Sequence, residues 1–334
     1  MRGVTETSAK SPTVEKAEKE GRVLVYGTVE IDEFSGWKQS FEKKYPGIEV
    51  EYMRKYVPGT PPPMAKTIME ETEAGRETAD AVIVAVPPLL QFRGLNLLAN
   101  VKQKESAAYP KAVREPQGYW FPIVSIGMIQ VYNPKLVKKS ELPKTAMDLA
   151  DPKWKDAMVT HDLTVGTLGA YWLASLRPIL GEKKWQKFTE GLAKNRPKAY
   201  PLYDPVVDSV TSGETKIGLT VLLHDFIKAK RAKRDIERLK LRDVPMLMTF
   251  NAIARTRAGR HPAAAELLVD FLLSKEGQKM VGSTYLRIPA RAGTGALYSF
   301  EKMVGKEKFT PFPNEKALAT SADSISTLAR LFAK

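Results

Sequence analysis

Residues 206–219, VVDSVTSGETKIGL, decide the fold class of this chain of 334 residues. The stretch follows the pair Asp204-Pro205, which is typical of a helix start, and it ends in the apolar residues of a new strand. A helix that leads straight into a strand indicates an α/β fold, in which helices connect the strands of a mostly parallel sheet.

The first part of the chain shows the same alternation. Residues 23–26 are a continuous apolar run typical of a buried strand, and Phe34, Trp37 and Phe41 then recur at helical spacing. Residues 48–52 return as a second strand. A strand, a helix and a strand of these lengths predict one βαβ unit.

Three stretches resemble one family of proteins. Besides residues 206–219 they are KAEKEGRVLVYG at 16–27 and HPAAAELLVDFLLSKEGQKMV at 261–281. Together they resemble the extracellular solute-binding proteins of ABC importers, in the class that includes the ferric-ion-binding proteins. The resemblance extends from about residue 14 to about residue 295.

The resemblance implies a two-lobed, periplasmic-binding-protein-like fold of type II, with two mixed, mainly parallel sheets joined by two hinge strands. It assigns residues 14–125 and about 246–290 to the first lobe, and residues 126–245 and about 291–334 to the second. The run at 123–132 is expected to cross between the lobes, with a hinge near 125–127, and the run at 246–254 to cross back. Two crossing strands suit a protein that closes around a ligand by bending at a hinge.

The chain carries an excess of positive charge. It has 52 lysine and arginine residues against 38 aspartate and glutamate residues, a formal charge of +14. That excess favours an anionic partner, whether an acidic ligand, a membrane surface or a nucleic acid. We interpret the densest basic run, residues 228–242, as a solvated helix face, because no aromatic residue alternates with its charges to stack on bases. We therefore expect no nucleic-acid partner and keep nucleic-acid binding as a minor alternative.

The sequence contains no cysteine and no apolar run of the roughly 18 residues that a membrane span needs. A protein without thiols forms no wrong disulfides in an oxidising compartment. Residues 1–21 hold no apolar core of a signal peptide. Because the resemblance implies an exported protein, we expect a periplasmic or extracellular location with the leader already removed.

Loops that follow the predicted strands are the candidate ligand-binding segments, because helix N-termini at strand ends offer unpaired N–H groups to anions. Relatives have a turn rich in glycine, serine and threonine after a strand of the second lobe, and Thr164, Gly166 and Thr167 match it. Thr28 and Thr60 can equally be ordinary helix caps. The full set of predicted ligand-binding residues is Thr28, Arg54, Gly59, Thr60, Val86, Pro87, Thr164, Gly166, Thr167, Tyr203, Asp204, Leu223, His224 and Asn251.

The choice of ligand depends on residues 223 and 224. In ferric-binding relatives an adjacent tyrosine pair supplies phenolate oxygens to the metal. When the sequences are aligned at Gly218-Leu219, the positions of that pair are occupied here by Leu223 and His224. Ferric iron prefers oxygen donors and leucine offers none. The sequence therefore favours a small organic anion, with no metal bound, and leaves a ferric-ion receptor that uses a synergistic anion as the alternative.

No arrangement of residues typical of an enzyme is apparent. The three histidines have no serine or cysteine nucleophile motif near them, and no phosphate-binding loop occurs. We expect a binding protein with no catalytic residues and no cofactor. By resemblance its partners are a small-molecule ligand and the membrane permease of an ABC importer, and we expect the receptor to be a monomer.

Overall fold

The computed structural model describes residues 11–55, 64–165, 167–303, 309–311 and 320–333. Its strands are, in chain order, β1 (Arg22–Gly27), β2 (Glu49–Arg54), β3 (Ala81–Ala85), β4 (Phe121–Tyr132), β5 (Met158–His161), β6 (Lys198–Tyr200), β7 (Ile217–Leu222), β8 (Glu237–Leu239), β9 (Met246–Arg255), β10 (Ile288–Pro289) and β11 (Phe309–Pro311).

The α-helices are α1 (Pro12–Glu20), α2 (Ile31–Lys44), α3 (Met64–Glu73), α4 (Val86–Gly94), α5 (Ala146–Leu149), α6 (Leu168–Ser175), α7 (Arg177–Leu180), α8 (Glu182–Lys194), α9 (Tyr203–Ser212), α10 (Leu223–Arg231), α11 (Pro262–Leu273), α12 (Lys275–Ser283), α13 (Phe300–Met303) and α14 (Ser321–Phe332). Short 3-10 helices lie at Lys104–Ala108, Lys111–Val113, Lys139–Glu141 and Pro152–Trp154. Among the described residues, no helix combines the length and the apolar character needed to cross a membrane.

The main strands follow the order β2-β1-β3-β9-β4-β7-β5-β6. β1 pairs in parallel with β2 and β3, and β5 pairs in parallel with β6 and β7. The pairs β3-β9, β9-β4 and β4-β7 are antiparallel. Two parallel groups, β2-β1-β3 and β7-β5-β6, thus flank the antiparallel pair of β4 and β9, which confirms the predicted α/β class.

β4 and β9 are the long strands that connect the two groups. They pair with each other from Phe121 opposite Ile253 to Met128 opposite Leu247. β9 also pairs with β3 of the first group, and β4 also pairs with β7 of the second. They coincide with the runs predicted to cross, at 123–132 and 246–254, and the sheet is continuous through them.

Large aromatic side chains fill separate hydrophobic cores. Trp37 and Phe41 of α2 are buried, and Phe41 meets Phe271 of α11 edge to face with ring centroids 5.6 Å apart. Trp172 and Trp185 are buried in a second core. Burying each such side chain stabilises the fold by about 1.5–3 kcal/mol. The core around Trp37 and Phe41 continues into the second group through Val159 and Val221.

The basic run at 228–242 is not one helix face, so that interpretation is wrong beyond the first few residues. α10 ends and β8 begins within the run. Three of its cations lie in ion pairs: Lys228 Nζ is 3.7 Å from Asp225 Oδ1, Lys230 Nζ is 2.5 Å from Glu237 Oε1, and Arg234 Nη2 is 2.5 Å from Asp208 Oδ1. Part of the positive charge is therefore neutralised locally.

The last part of the chain contacts both parallel groups. Within residues 291–303, Tyr298 N–H donates to Gly282 O of α12, and the guanidinium of Arg291 donates to Leu273 O of α11. α14 packs on α6 and α8. The predicted assignment of residues 291–334 to the second lobe stays a prediction, as does the division at 125 and 246.

Candidate functional site

Two sets of strand ends face each other across the long strands. At the carboxyl end of β3, Ala85 pairs with Asn251, which in turn pairs with Val124 of β4. At the carboxyl end of β7, Leu222 pairs with Met128 of β4. The chain direction of β3 is the same as that of β4, and the direction of β7 is opposite to it. The two carboxyl ends therefore point toward each other, separated by four residue steps of β4, about 13 Å. Because ligands bind at such ends in open α/β sheets, this is the candidate site.

Five helices begin just after these strand ends. α2 and α4 follow β1 and β3 in one group, and α6, α9 and α10 follow β5, β6 and β7 in the other. The first N–H groups of a helix have no partner within it and carry partial positive charge. Both sides of the candidate site therefore present donors suited to an anion, with α2 supplying them in the first group because Pro87 and Pro88 leave α4 without two of its first N–H groups.

A ring stack holds the turn after β5. The imidazole of His161 lies nearly parallel to the ring of Tyr203, with centroids 4.0 Å apart and planes 14° apart. The backbone N–H of His161 donates to Thr220 Oγ1 of β7 at 2.6 Å. Burial lowers the pKa of His161 below its usual value. His161 is thus a neutral residue at neutral pH, and Tyr203 covers it at the start of α9.

Thr164 and Thr167 use their hydroxyl groups within their own turn. Thr164 Oγ1 donates to Asp162 Oδ1 at 2.7 Å, and Thr167 Oγ1 donates to Asp162 O at 2.6 Å. Thr167 Oγ1 also accepts the Ala170 N–H at 3.3 Å as the N-cap of α6. The turn is ordered by these bonds, and Gly166 lies outside the described residues.

In the first group, Arg54 and Thr28 lie at neighbouring strand ends. Arg54 Nη2 is 2.5 Å from Glu30 Oε1, and Thr28 N–H donates to Ile83 O at 3.0 Å. The predicted residues Gly59 and Thr60 lie outside the described residues. Arg54 is therefore engaged with a carboxylate next to the N-terminus of α2.

Apolar residues lie next to the strand ends of both groups. Pro87 is buried in the first turn of α4, and Val86 beside it is half-buried. Leu223 is buried at the start of α10 and packs on β4. If Gly127 of β4 carried a Cβ atom, that atom would lie 3.2 Å from the Cβ of Leu223. These residues come close to the strand ends but offer no donor to a metal or an anion.

Four ionisable residues, which we call the Arg287 cluster, connect the two groups: Glu33, His224, Asp225 and Arg287. Arg287 Nε donates to Glu33 Oε1 at 2.9 Å in the first turn of α2. Arg287 Nη1 also contacts His224 Nε2 in the first turn of α10. The neighbouring carboxylate Oδ1 of Asp225 lies 3.3 Å from the same histidine nitrogen. One guanidinium thus joins the N-termini of α2 and α10.

Burial controls the charges in this cluster. His224 is 2% exposed, and desolvation together with the nearby cations Arg287 and Lys228 holds its pKa well below the usual value. Burial raises the pKa of Asp225 to about 6, against the opposing effect of Arg287 and Lys228 and with a further rise from Asp204. At neutral pH the cluster therefore contains a neutral imidazole, and Arg287 is its fixed positive charge.

A cavity of about 380 Å³ lies elsewhere, along β4 between β8 and β9. Its lining includes Gln130, Arg238 and Arg242, and none of the predicted ligand-binding residues. Among the described residues, no group of three or more His, Cys, Asp or Glu side chains is placed to hold a metal ion.

Comparison with known proteins identifies the family. The family model described as bacterial extracellular solute-binding protein matches residues 77–319, which is most of the chain. The chain belongs to this family. The predicted membership of the extracellular solute-binding proteins is confirmed, and so is the periplasmic or extracellular location that goes with it.

Curated relatives of this solute-binding protein carry names that refer to iron. The major ferric iron-binding protein of Neisseria meningitidis serogroup A is 24% identical over 246 residues, which cover 70% of this chain and 72% of the relative. The Fe(3+)-binding periplasmic protein of Serratia marcescens is 21% identical over 265 residues, covering 78% of this chain and 75% of the relative.

Solved structures confirm the predicted type II fold of this solute-binding protein. Iron-bound HitA from Pseudomonas aeruginosa matches with a TM-score of 0.75 at 23% identity, covering 92% of this chain and 98% of that one. A Trichodesmium protein (IdiA, FutA) in complex with iron and citrate matches with a TM-score of 0.76 at 20% identity, covering 94% and 100%. At these identities the likeness shows the fold alone.

The structure brings some predicted residues of this solute-binding protein together and adds others. Tyr203 and Asp204 begin α9, near the first turn of α10 that holds Leu223 and His224. Sequence reasoning missed Glu33 and Arg287, which lie 254 positions apart and carry no motif. Only their positions next to strands indicate a role in the site: Glu33 lies in the first helical turn after β1, and Arg287 directly precedes β10.

Proposed function

We propose that this solute-binding protein is the receptor of an ABC importer, which binds its solute between the two groups of strand ends and delivers it to a membrane permease. The observation that carries the proposal is the facing of the carboxyl ends of β3 and β7 in a chain of this family. Solute that touches both groups stabilises the closed form over the open form. The receptor acts as a monomer and returns its solute chemically unchanged.

We infer that the solute is ferric iron held together with an organic anion. The names of the relatives support iron more strongly than they support the metal-free organic anion that the sequence favoured. The Trichodesmium protein of the same fold was solved with iron and citrate together. A carboxylate-bearing complex also suits the helix N-termini of the candidate site.

The donor atoms of the chain explain why an anion accompanies the iron. Ferric iron prefers oxygen ligands, and Leu223 supplies none. The ring of His224 is buried, and its Nε2 is already in contact with Arg287. The anion therefore supplies most of the oxygen atoms around the metal, and the protein recognises the complex largely through the anion.

A metal-free organic anion is the second candidate. It is favoured because the described part of the chain holds no cluster of three His, Cys, Asp or Glu side chains placed for a metal. The half-buried side chain of Val86 would then contact the body of that anion. The net charge of +14 does not decide between the candidates, because citrate and ferric citrate are both anionic.

Calorimetric titration of the iron-free protein with ferric citrate, and separately with citrate alone, tests the proposal. We expect ferric citrate to bind more tightly than citrate, without the visible phenolate-to-iron absorption band that tyrosine ligands would produce. Mass spectrometry of the released solute should recover it unchanged. Binding of citrate alone with no gain from iron would overturn the ferric proposal in favour of the second candidate, and a phenolate band would overturn the account of the donors.

A further inference from the structure

Arg287 is anchored at the junction of the two strand groups. It lies between α12 and β10, its backbone N–H donates to Val281 O at 3.0 Å, and the next residue, Ile288, pairs with Ser125 of β4. Ser125 belongs to the segment of β4 that separates the facing strand ends. The backbone of Arg287 is therefore fixed beside the candidate site from two directions.

The guanidinium is held on two of its nitrogens and open on the third. Nε donates to Glu33 and Nη1 contacts His224, so α2 and α10 orient the plane of the group. In the part of the chain that the structure describes, Nη2 has no hydrogen-bond partner, and the side chain remains 24% exposed. A solute can therefore reach the oriented N–H donors of a single nitrogen, Nη2.

The chemistry of this group matches a carboxylate. The Nη2 of a guanidinium donates a charge-assisted hydrogen bond to a carboxylate, and here Glu33 and His224 fix the plane of the group, which a freely rotating lysine ammonium does not reproduce. His224 is buried and uncharged, so it adds no positive charge of its own at this point. Arg287 is thus a fixed cation in contact with the first turns of both α2 and α10.

We propose that Arg287 determines the specificity of the receptor for anionic solutes, by binding a carboxylate of the solute through Nη2 while Glu33 and His224 hold its orientation. The inference rests on the proposed function, because it assigns the anion of that solute a position between α2 and α10. It adds a recognition residue at a place where the ferric-type alignment offers only Leu223 and His224.

The test compares Arg287→Gln, Arg287→Lys and the control Arg22→Gln by calorimetry with ferric citrate and with citrate alone. Arg22 is a suitable control because it also contacts two carboxylates, Glu51 and Glu77, but it lies at the amino end of β1. We expect Arg287→Gln to weaken ferric citrate binding about 10-fold or more, Arg287→Lys to weaken it less, and the control to change it less than 2-fold. The melting temperature of each unliganded variant shows that it is folded.

The outcomes separate this inference from the proposed function. If ferric citrate binds the wild type and Arg287→Gln with equal affinity, the role of Arg287 is overturned and the proposed function stands. If citrate binds the wild type as tightly as ferric citrate, and Arg287→Gln weakens both, Arg287 is supported while iron is rejected. If the wild type binds neither probe, both proposals fail. Should Arg287→Gln not fold, equal affinity of the wild type and Arg287→Lys would overturn the oriented contact through Nη2.

Discussion

Leu223, the first residue of α10, rests directly on the backbone of Gly127 in β4. A Cβ atom on Gly127 would lie 3.2 Å from Leu223 Cβ and 3.3 Å from its Cδ2, closer than ordinary contact. Gly127 belongs to the segment where we predicted a hinge, and Leu223 is fully within the hydrophobic core. The missing side chain at 127 therefore sets how closely α10 approaches the long strand beside the candidate site.

We predict that Gly127→Ala destabilises the protein by about 1 kcal/mol, because the added methyl group forces Leu223 or β4 to shift in a packed core. Urea denaturation followed by circular dichroism measures the free energy of unfolding. Gly94→Ala is the control, since a Cβ at that position meets no atom within 4 Å. A Gly127→Ala protein as stable as the wild type would show that α10 can move without cost.

Thr167 stabilises the start of α6 rather than leaving its hydroxyl free. Its Oγ1 accepts the Ala170 N–H at 3.3 Å and donates to Asp162 O at 2.6 Å. We predict that Thr167→Ala lowers the free energy of unfolding by about 1 kcal/mol and that Thr167→Ser, which keeps the hydroxyl, loses much less. Equal losses in the two variants, measured by urea denaturation, would mean that the methyl group and not the cap carries the effect.

Asp225 makes stability depend on pH. Burial raises its pKa in the folded protein to about 6, above the ordinary value of 3.8. The folded state therefore holds the proton more tightly than the unfolded chain, and the contribution of Asp225 to stability falls as the pH rises from about 4 to about 6. We predict that Asp225→Asn, which cannot ionise, gains stability relative to the wild type across this window, by on the order of 1–3 kcal/mol above pH 6.

Thermal and urea unfolding of the wild type and Asp225→Asn at several pH values between 4 and 7 measure this difference. Asp32→Asn is the control, because it removes an exposed carboxylate that pays no comparable cost of burial. A stability difference between the wild type and Asp225→Asn that is constant from pH 4 to pH 7 would contradict the raised pKa of Asp225.

Local patterns predicted the elements well and the contacts between them poorly. The runs at 123–132 and 246–254 were identified because long apolar strands are visible in any window of the sequence, and they became β4 and β9. The basic run at 228–242 was misread as one helix face, since charge density alone does not reveal where a helix ends. Lys233, within that run, has a φ of +56°, a conformation that interrupts a helix.

The α/β class, the order of the main elements and the family can be read from the order of amino acids alone, because hydrophobic periodicity and short motifs are properties of neighbouring residues. Which charged groups meet at the facing strand ends depends on how the sheet folds. Arg287, Glu33 and His224 come together because the register of β4 with β9, β7 and β10 places α2, α10 and the chain after α12 side by side. No local pattern encodes that register, since it follows from packing the whole sheet.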